Sequence, residues 1–222
     1  MGDVTGRPPS GRSRGRPALP LDRILAAALE LVDEQGADAL SMRSLAQRLE
    51  SGTATLYRHF ANRSELVAMM VDRMLGEIDL DVDAVAALPW QQACTLFVQH
   101  TFDALSRHGN VASLLIGHVP MGPNALAHRE KMLAILLDNG FPAVVAAHAY
   151  ATVSRYVLGF AIQLSGSTSA DEDAQLATAF HELDPSRYPA TVAVADDLPV
   201  PLEEEFAYGL RLIVAGLERL GH

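Results

Sequence analysis

The run at residues 41–66, SMRSLAQRLESGTATLYRHFANRSEL, constrains this chain more than any other. Met42, Leu45, Ala46 and Leu49 follow i, i+3, i+4, i+7 spacing, which gives a helix with one buried face. Ser51 and Gly52 break the pattern, and Thr53 restarts it with Leu56 and Phe60 on the inner side. The outer side then carries Thr53, Thr55, Tyr57, Arg58 and His59, all hydrogen-bonding or phosphate-seeking. Two short helices across a tight turn, the second apolar behind and donor-rich in front, make a shape that seats in a major groove.

The flanks supply a support for this unit. Residues 21–35 read as a helix with Leu21, Ile24, Leu25, Ala28 and Val32 as its buried stripe and Gly36 as its stop. Ser41 caps the second helix, and Asn62 or Ser64 opens a fourth through Leu66, Met70 and Met74. Residues 1–20 are Arg-, Gly-, Pro- and Ser-rich with little to bury, so they read as a disordered basic arm. Arg12, Arg14 and Arg16 there are either solvated or laid in a minor groove.

Beyond an acidic linker at residues 79–89 the pattern stays helical, near 90–107, 110–117, 124–139, 143–165 and 202–220. The stretch at 165–201 is a looser excursion with one short helix at 172–183, and the short run at 191–195 sits among prolines and makes no convincing strand. The expectation is an all-α chain: a basic arm at 1–20, a three-helix helix-turn-helix domain at 21–66, and a larger helical domain at 67–222.

Charge distribution supports a polyanion partner despite a net charge of −10. Residues 1–64 carry +2 and residues 65–222 carry −12, so the amino-terminal end faces a polyanion first. All the basic residues but Lys131 are arginines, suited to bidentate contact with phosphate or guanine. No apolar run reaches a membrane span, no secretory signal opens the chain, and the lone Cys94 excludes an internal disulfide. These features suit the cytoplasm, with Cys94 as a buried, inert thiol.

In the last helix Phe206, Leu210, Ile213, Leu217 and Leu220 are spaced four, three, four, three, as in a seam against another helix. Gly209 and Gly216 would let a partner backbone approach. The seam is either internal core or a dimer interface.

The motif SMRSLAQRL…TATLYRHFANRSEL resembles the DNA-binding domain of the TetR (tetracycline-repressor) family. DNGF at 138–141, ATVSRYVLGF at 151–160 and EEFAYGLRLIVAGLERL at 204–220 resemble the carboxy-terminal domain of its drug-sensing branch. The resemblance implies that Arg43 and Arg58 read bases and that Thr53 and Ala54 face the groove floor. It implies that Thr55, Tyr57, His59 and Arg63 hold phosphates. Arg48 is expected to be a solvated charge. The resemblance also tips the last helix towards a homodimer interface, paired with the helix at 143–165 in a four-helix bundle.

Two turn positions depart from the family pattern. Leu49-Glu50-Ser51 stands where Leu-Gly-Val is usual, so if the family's turn geometry is kept Glu50 takes a positive φ at a cost of about 1 kcal/mol. In the drug-sensing branch a histidine ligates magnesium carried by the drug, with an acidic residue beyond a Leu-Gly motif. Here His118 lies within one or two places of that histidine and Gln163 takes the acidic place, so a magnesium–drug complex is not the expected ligand.

The expected ligand site is apolar with a few polar handles: Phe97, His100, Thr101, Leu115, His118, Met121, Met132, Leu136, Tyr150, Ser154 and Gln163. No metal site or cofactor is expected. There is no nucleophile elbow, Gly-rich phosphate loop or HExxH, so the chain is not expected to be an enzyme. The acidic runs at 171–173 and 203–205 read as solvated faces.

Taken with the resemblance, these features give a homodimeric repressor released from a palindromic, double-stranded operator by a small apolar or amphipathic molecule. One alternative is a regulator that needs its ligand to bind DNA. The other is a ligand-binding or interaction dimer with weakened DNA binding.

Overall fold

A computed structural model describes residues 19–78, 85, 87–116, 119–166 and 170–220. The basic arm, apart from Leu19 and Pro20, lies outside these residues, as do His118 and most of the acidic linker. Among the described residues every regular element is a helix.

Helix α1 (Leu21–Gln35) buries Ile24, Leu25, Ala28, Leu31 and Val32 against α4 (Arg63–Leu75). Between them lie α2 (Met42–Arg48) and α3 (Thr53–Leu56). Ser41 caps α2 by accepting the Ser44 amide at 3.0 Å, and the Ser44 hydroxyl sits 2.9 Å from the Ser41 amide in return. Asn62, rather than Ser64, caps α4 by accepting the Glu65 amide at 3.0 Å.

The body comprises α5 (Trp90–Arg107), α6 (Gly109–Ala112), α7 (Pro123–Asp138), α8 (Ala143–Ser165) and α11 (Leu202–Glu218). Helix α8 packs against α5, α6, α7 and α11 and forms the body's spine. The short α9 (Ala170–His181) and α10 (Pro189–Ala193) form a side excursion in which Ala195 is buried. Helix α10 and a 3₁₀ turn at Ala195–Asp197 occupy the stretch where a weak strand signal stood. The expected division at residue 66 falls inside α4, a single continuous helix that carries buried residues on both sides of that point.

The seam of the last helix faces inward. Phe206, Leu210 and Leu217 are buried in the protomer's own core, where Phe206 stacks on Phe102 with ring centroids 3.8 Å apart. The four-three spacing identified an apolar stripe, but its partners are α5 and α8 of the same chain. Ile213 is partly buried and Leu220 is 57% exposed. Gly209 admits a neighbour within the chain: a Cβ there would overlap the hydroxyl of Tyr156, which donates to the Phe206 carbonyl at 2.7 Å.

Candidate functional site

Leu56 and Phe60 anchor α3 in the core, leaving Thr53, Ala54, Tyr57 and Arg58 exposed and Thr55 and His59 half-buried on the outer side. The helix ends at Leu56, earlier than the sequence pattern suggested, and residues 57–60 continue as a hydrogen-bonded turn. Arg43 is exposed in the first turn of α2. A helix amino terminus disfavours a cation, so the helix itself gains nothing from an arginine at this place.

The turn between α2 and α3 is a Schellman motif. The Ser51 amide donates to the Ala46 carbonyl at 2.9 Å and the Glu50 amide to Gln47 at 3.0 Å. This geometry puts Glu50 at φ 48°, the left-handed position that glycine favours. Ser51 leaves its hydroxyl buried without a hydrogen-bond partner among the described residues.

Two arginines of this region have structural partners. Arg48, expected to be solvated, forms a bidentate pair with Glu34 at 2.6 and 2.7 Å and reaches Glu30 at 3.2 Å, because α2 crosses the end of α1. The pairing raises the Arg48 pKa and lowers that of Glu34. Arg63 donates to the carbonyls of Leu40 and Ala37 at 2.8 and 3.1 Å, satisfying the linker between α1 and α2.

Helix α4 is tied to the body by Asp72, a buried carboxylate. The cap residue of α7 is Gly122, which has no side chain to cap with, and Pro123 follows it. Asp72 supplies the missing cap from α4. It accepts the Ala125 amide at 2.9 Å, and from Asn124 it accepts the side-chain amide at 3.1 Å and the backbone amide at 3.4 Å. A Cβ on Gly122 would overlap that carboxylate. A second tie is His108, whose ring nitrogens lie 2.7 Å from Asp33 at the end of α1 and 3.1 Å from Glu77 beyond α4.

A cleft of ≈ 860 Å³ opens between α4 and residues 113–116 and 119–124, lined by Val67, Asp72, Arg73, Leu115, Val119 and Met121 among others. A smaller cavity of ≈ 320 Å³ lies between α5 and α7, beside Phe97, Lys131 and Ile135. Neither of these two cavities collects all the sequence-predicted ligand residues that are described. Leu115 and Met121 line the larger and Phe97 the smaller. Met132 and Leu136 are enclosed in the core, and Ser154 and Gln163 are exposed on α8. His100 is half-buried, and the Tyr150 hydroxyl accepts from Arg129 at 3.3 Å.

Thr101 leads to a residue that carries no signal in the sequence pattern. Its hydroxyl donates to the Phe97 carbonyl at 2.8 Å and lies 2.8 Å from His128 Nε2. With the single hydroxyl proton given to Phe97, the ring is the donor to Thr101. His128 also packs on Phe97 with centroids 4.2 Å apart, and burial, reinforced by Lys131, pushes its pKa down to about 4. It is a neutral, part-buried, hydrogen-bonding histidine. Burial likewise pushes the Cys94 thiol up to about 12, which leaves it unreactive. Among the described residues no cluster of His, Cys, Asp and Glu is placed to hold a metal.

Residues 24–70 match the family of bacterial regulatory proteins of the tetR type, and residues 88–220 match the tetracyclin repressor-like C-terminal domain. The chain belongs to the TetR family. It is thus a regulator rather than an enzyme. This TetR-family chain is 31% identical over 227 aligned positions to the transcriptional repressor DrrR1 of Streptomyces coeruleorubidus, covering 97% of this chain and 83% of that one. It is 26% identical to the class E tetracycline repressor of Escherichia coli over 198 positions, covering 89% and 90%. The solved structure of ActR from Streptomyces coelicolor in complex with actinorhodin superposes with a TM-score of 0.81 at 30% identity, covering 92% and 99%. No described helix is long and apolar enough to cross a membrane.

Proposed function

We propose that this protein is a homodimeric, cytoplasmic repressor that leaves a palindromic operator when a small amphipathic molecule binds. The observation that supports this best is Asp72. One helix, α4, begins behind the DNA-facing α3 and fastens to the body through a carboxylate on the α7 terminus. A ligand that rearranges that contact moves α4, and with it the recognition surface. Two such surfaces read successive major grooves about 34 Å apart, so a small change in separation suffices for release. The ligand has to favour the non-operator form, since equal binding to both forms shifts nothing.

Arg43 and Arg58 are proposed to read bases, with Thr53 and Ala54 on the groove floor. Thr55, Tyr57 and His59 are proposed to hold phosphates. Arg63 acts mainly by bracing the linker behind them. The dimer is proposed to form through the outward faces of α8 and α11, where Val144, Tyr208 and Leu212 are exposed. Selection of bound sequences from a random duplex pool at two salt concentrations tests the reading. A palindromic consensus with steep salt dependence is expected. Arg43→Ala is expected to relax one base position at a cost of about 1–3 kcal/mol. No enrichment at low salt would overturn the proposal.

A further inference from the structure

Arg73 stands in the last turn of α4 and lines the cleft of ≈ 860 Å³. Its Nε is buried and has no hydrogen-bond partner among the described residues. Arg73 as a whole is part-exposed, and its guanidinium stays charged throughout the working pH range with five donors to offer, so a buried Nε left unmatched is a costly arrangement. Other arginines packed between elements are matched: Arg48 to Glu34, Arg63 to the Leu40 carbonyl, and Arg129 to Tyr150 and the Pro120 carbonyl. Arg73 borders an empty space of ligand size whose wall is mostly apolar.

We propose that this cleft binds an amphipathic organic anion, whose acidic group accepts from Arg73 while its apolar part lies on Val67, Leu115, Val119 and Met121. The proposal rests on the effector-responsive reading above and names the effector's chemistry and its place at the junction of α4 with the body. Three carboxylates also line the cleft, Asp22, Asp72 and Glu77. Asp72 is engaged by the α7 amides and Glu77 by His108, which leaves Asp22 in the first turn of α1, where helix polarity holds an anion. Arg63 lines the same wall and offsets it. Asp72 and Gly122 border the cleft, so an occupant presses on the contact that joins α4 to α7. Binding there reaches the DNA-reading end through α4 directly.

The test uses the full-length protein with anilinonaphthalene sulfonate, an amphipathic anion that fluoresces in apolar surroundings, and phenylnaphthylamine, its uncharged counterpart. Arg73→Gln is expected to weaken the sulfonate about tenfold or more, through loss of a charge-assisted contact, and to leave the neutral dye within about twofold. Arg73→Lys keeps the charge and is expected to retain more sulfonate binding than Arg73→Gln. Ala68→Trp, which fills the cleft from its exposed side, is expected to weaken both dyes. Unchanged sulfonate binding in Arg73→Gln, or equal loss of both dyes, would overturn the proposal. A parallel measurement on the operator complex separates the two readings. Sulfonate that binds through Arg73 yet leaves DNA bound supports the site and overturns ligand-driven release. Sulfonate that releases DNA equally from Arg73→Gln overturns the site.

Discussion

Glu50 holds a left-handed backbone conformation because the Schellman motif that ends α2 demands it, whatever the side chain. Glu50→Gly is therefore expected to raise the melting temperature by about 2–4 °C, corresponding to about 1 kcal/mol, in a thermal denaturation experiment. His128 gives a second expectation. Its pKa is about 4 in the fold against an ordinary 6.5, so as pH falls the unfolded chain takes up the proton first and stability drops. The contribution is full above pH 6.5 and is lost on the way down to pH 4. About 2 kcal/mol is expected to disappear between pH 7 and pH 5 in urea titrations, and His128→Gln is expected to flatten that slope. The Glu50 conformation was legible in the sequence because a helix stop and a family pattern coincide there. His128 was not, because its environment is made by Phe97 and Thr101, about 30 positions away on another helix.

At the scale of elements, apolar periodicity located α1, α5, α7, α8 and α11 to within a residue or two at most ends, since each has a continuous stripe to bury. Periodicity says that a stripe is buried and leaves open what covers it. The stripe of α11 illustrates this, being closed by Phe102 and Phe160 of the same chain. The ligand candidates scattered for a related reason: several, such as Met132 and Leu136, are core residues with the composition of a pocket wall. The joint between α4 and α7 left one trace, a helix start whose cap residue is a bare glycine. Asp72→Ala is expected to lower stability by about 1–2 kcal/mol, the usual cost of a lost amino-terminal cap. Asp72→Asn, which retains an acceptor, is expected to recover part of that in the same denaturation assay.

For the whole molecule, the proposed dimer rests on the outward faces of α8 and α11, and the uneven charge favours approach to DNA by the amino-terminal end. Tyr208 and Leu212 are 57% and 58% exposed on the face of α11 turned away from its own core. Leu212→Glu is expected to shift sedimentation from dimer to monomer and to reduce operator affinity steeply, since a single reading head covers half a site. The apolar core runs from Ile24 in α1 to Leu217 in α11 as one connected cluster through α4, α5 and α8. A reading head built this way shares its core with the body. Heating should dissolve reader and sensor in one calorimetric peak, and a cavity cut deep in the body should loosen the grip on DNA by draining the folded population as a whole.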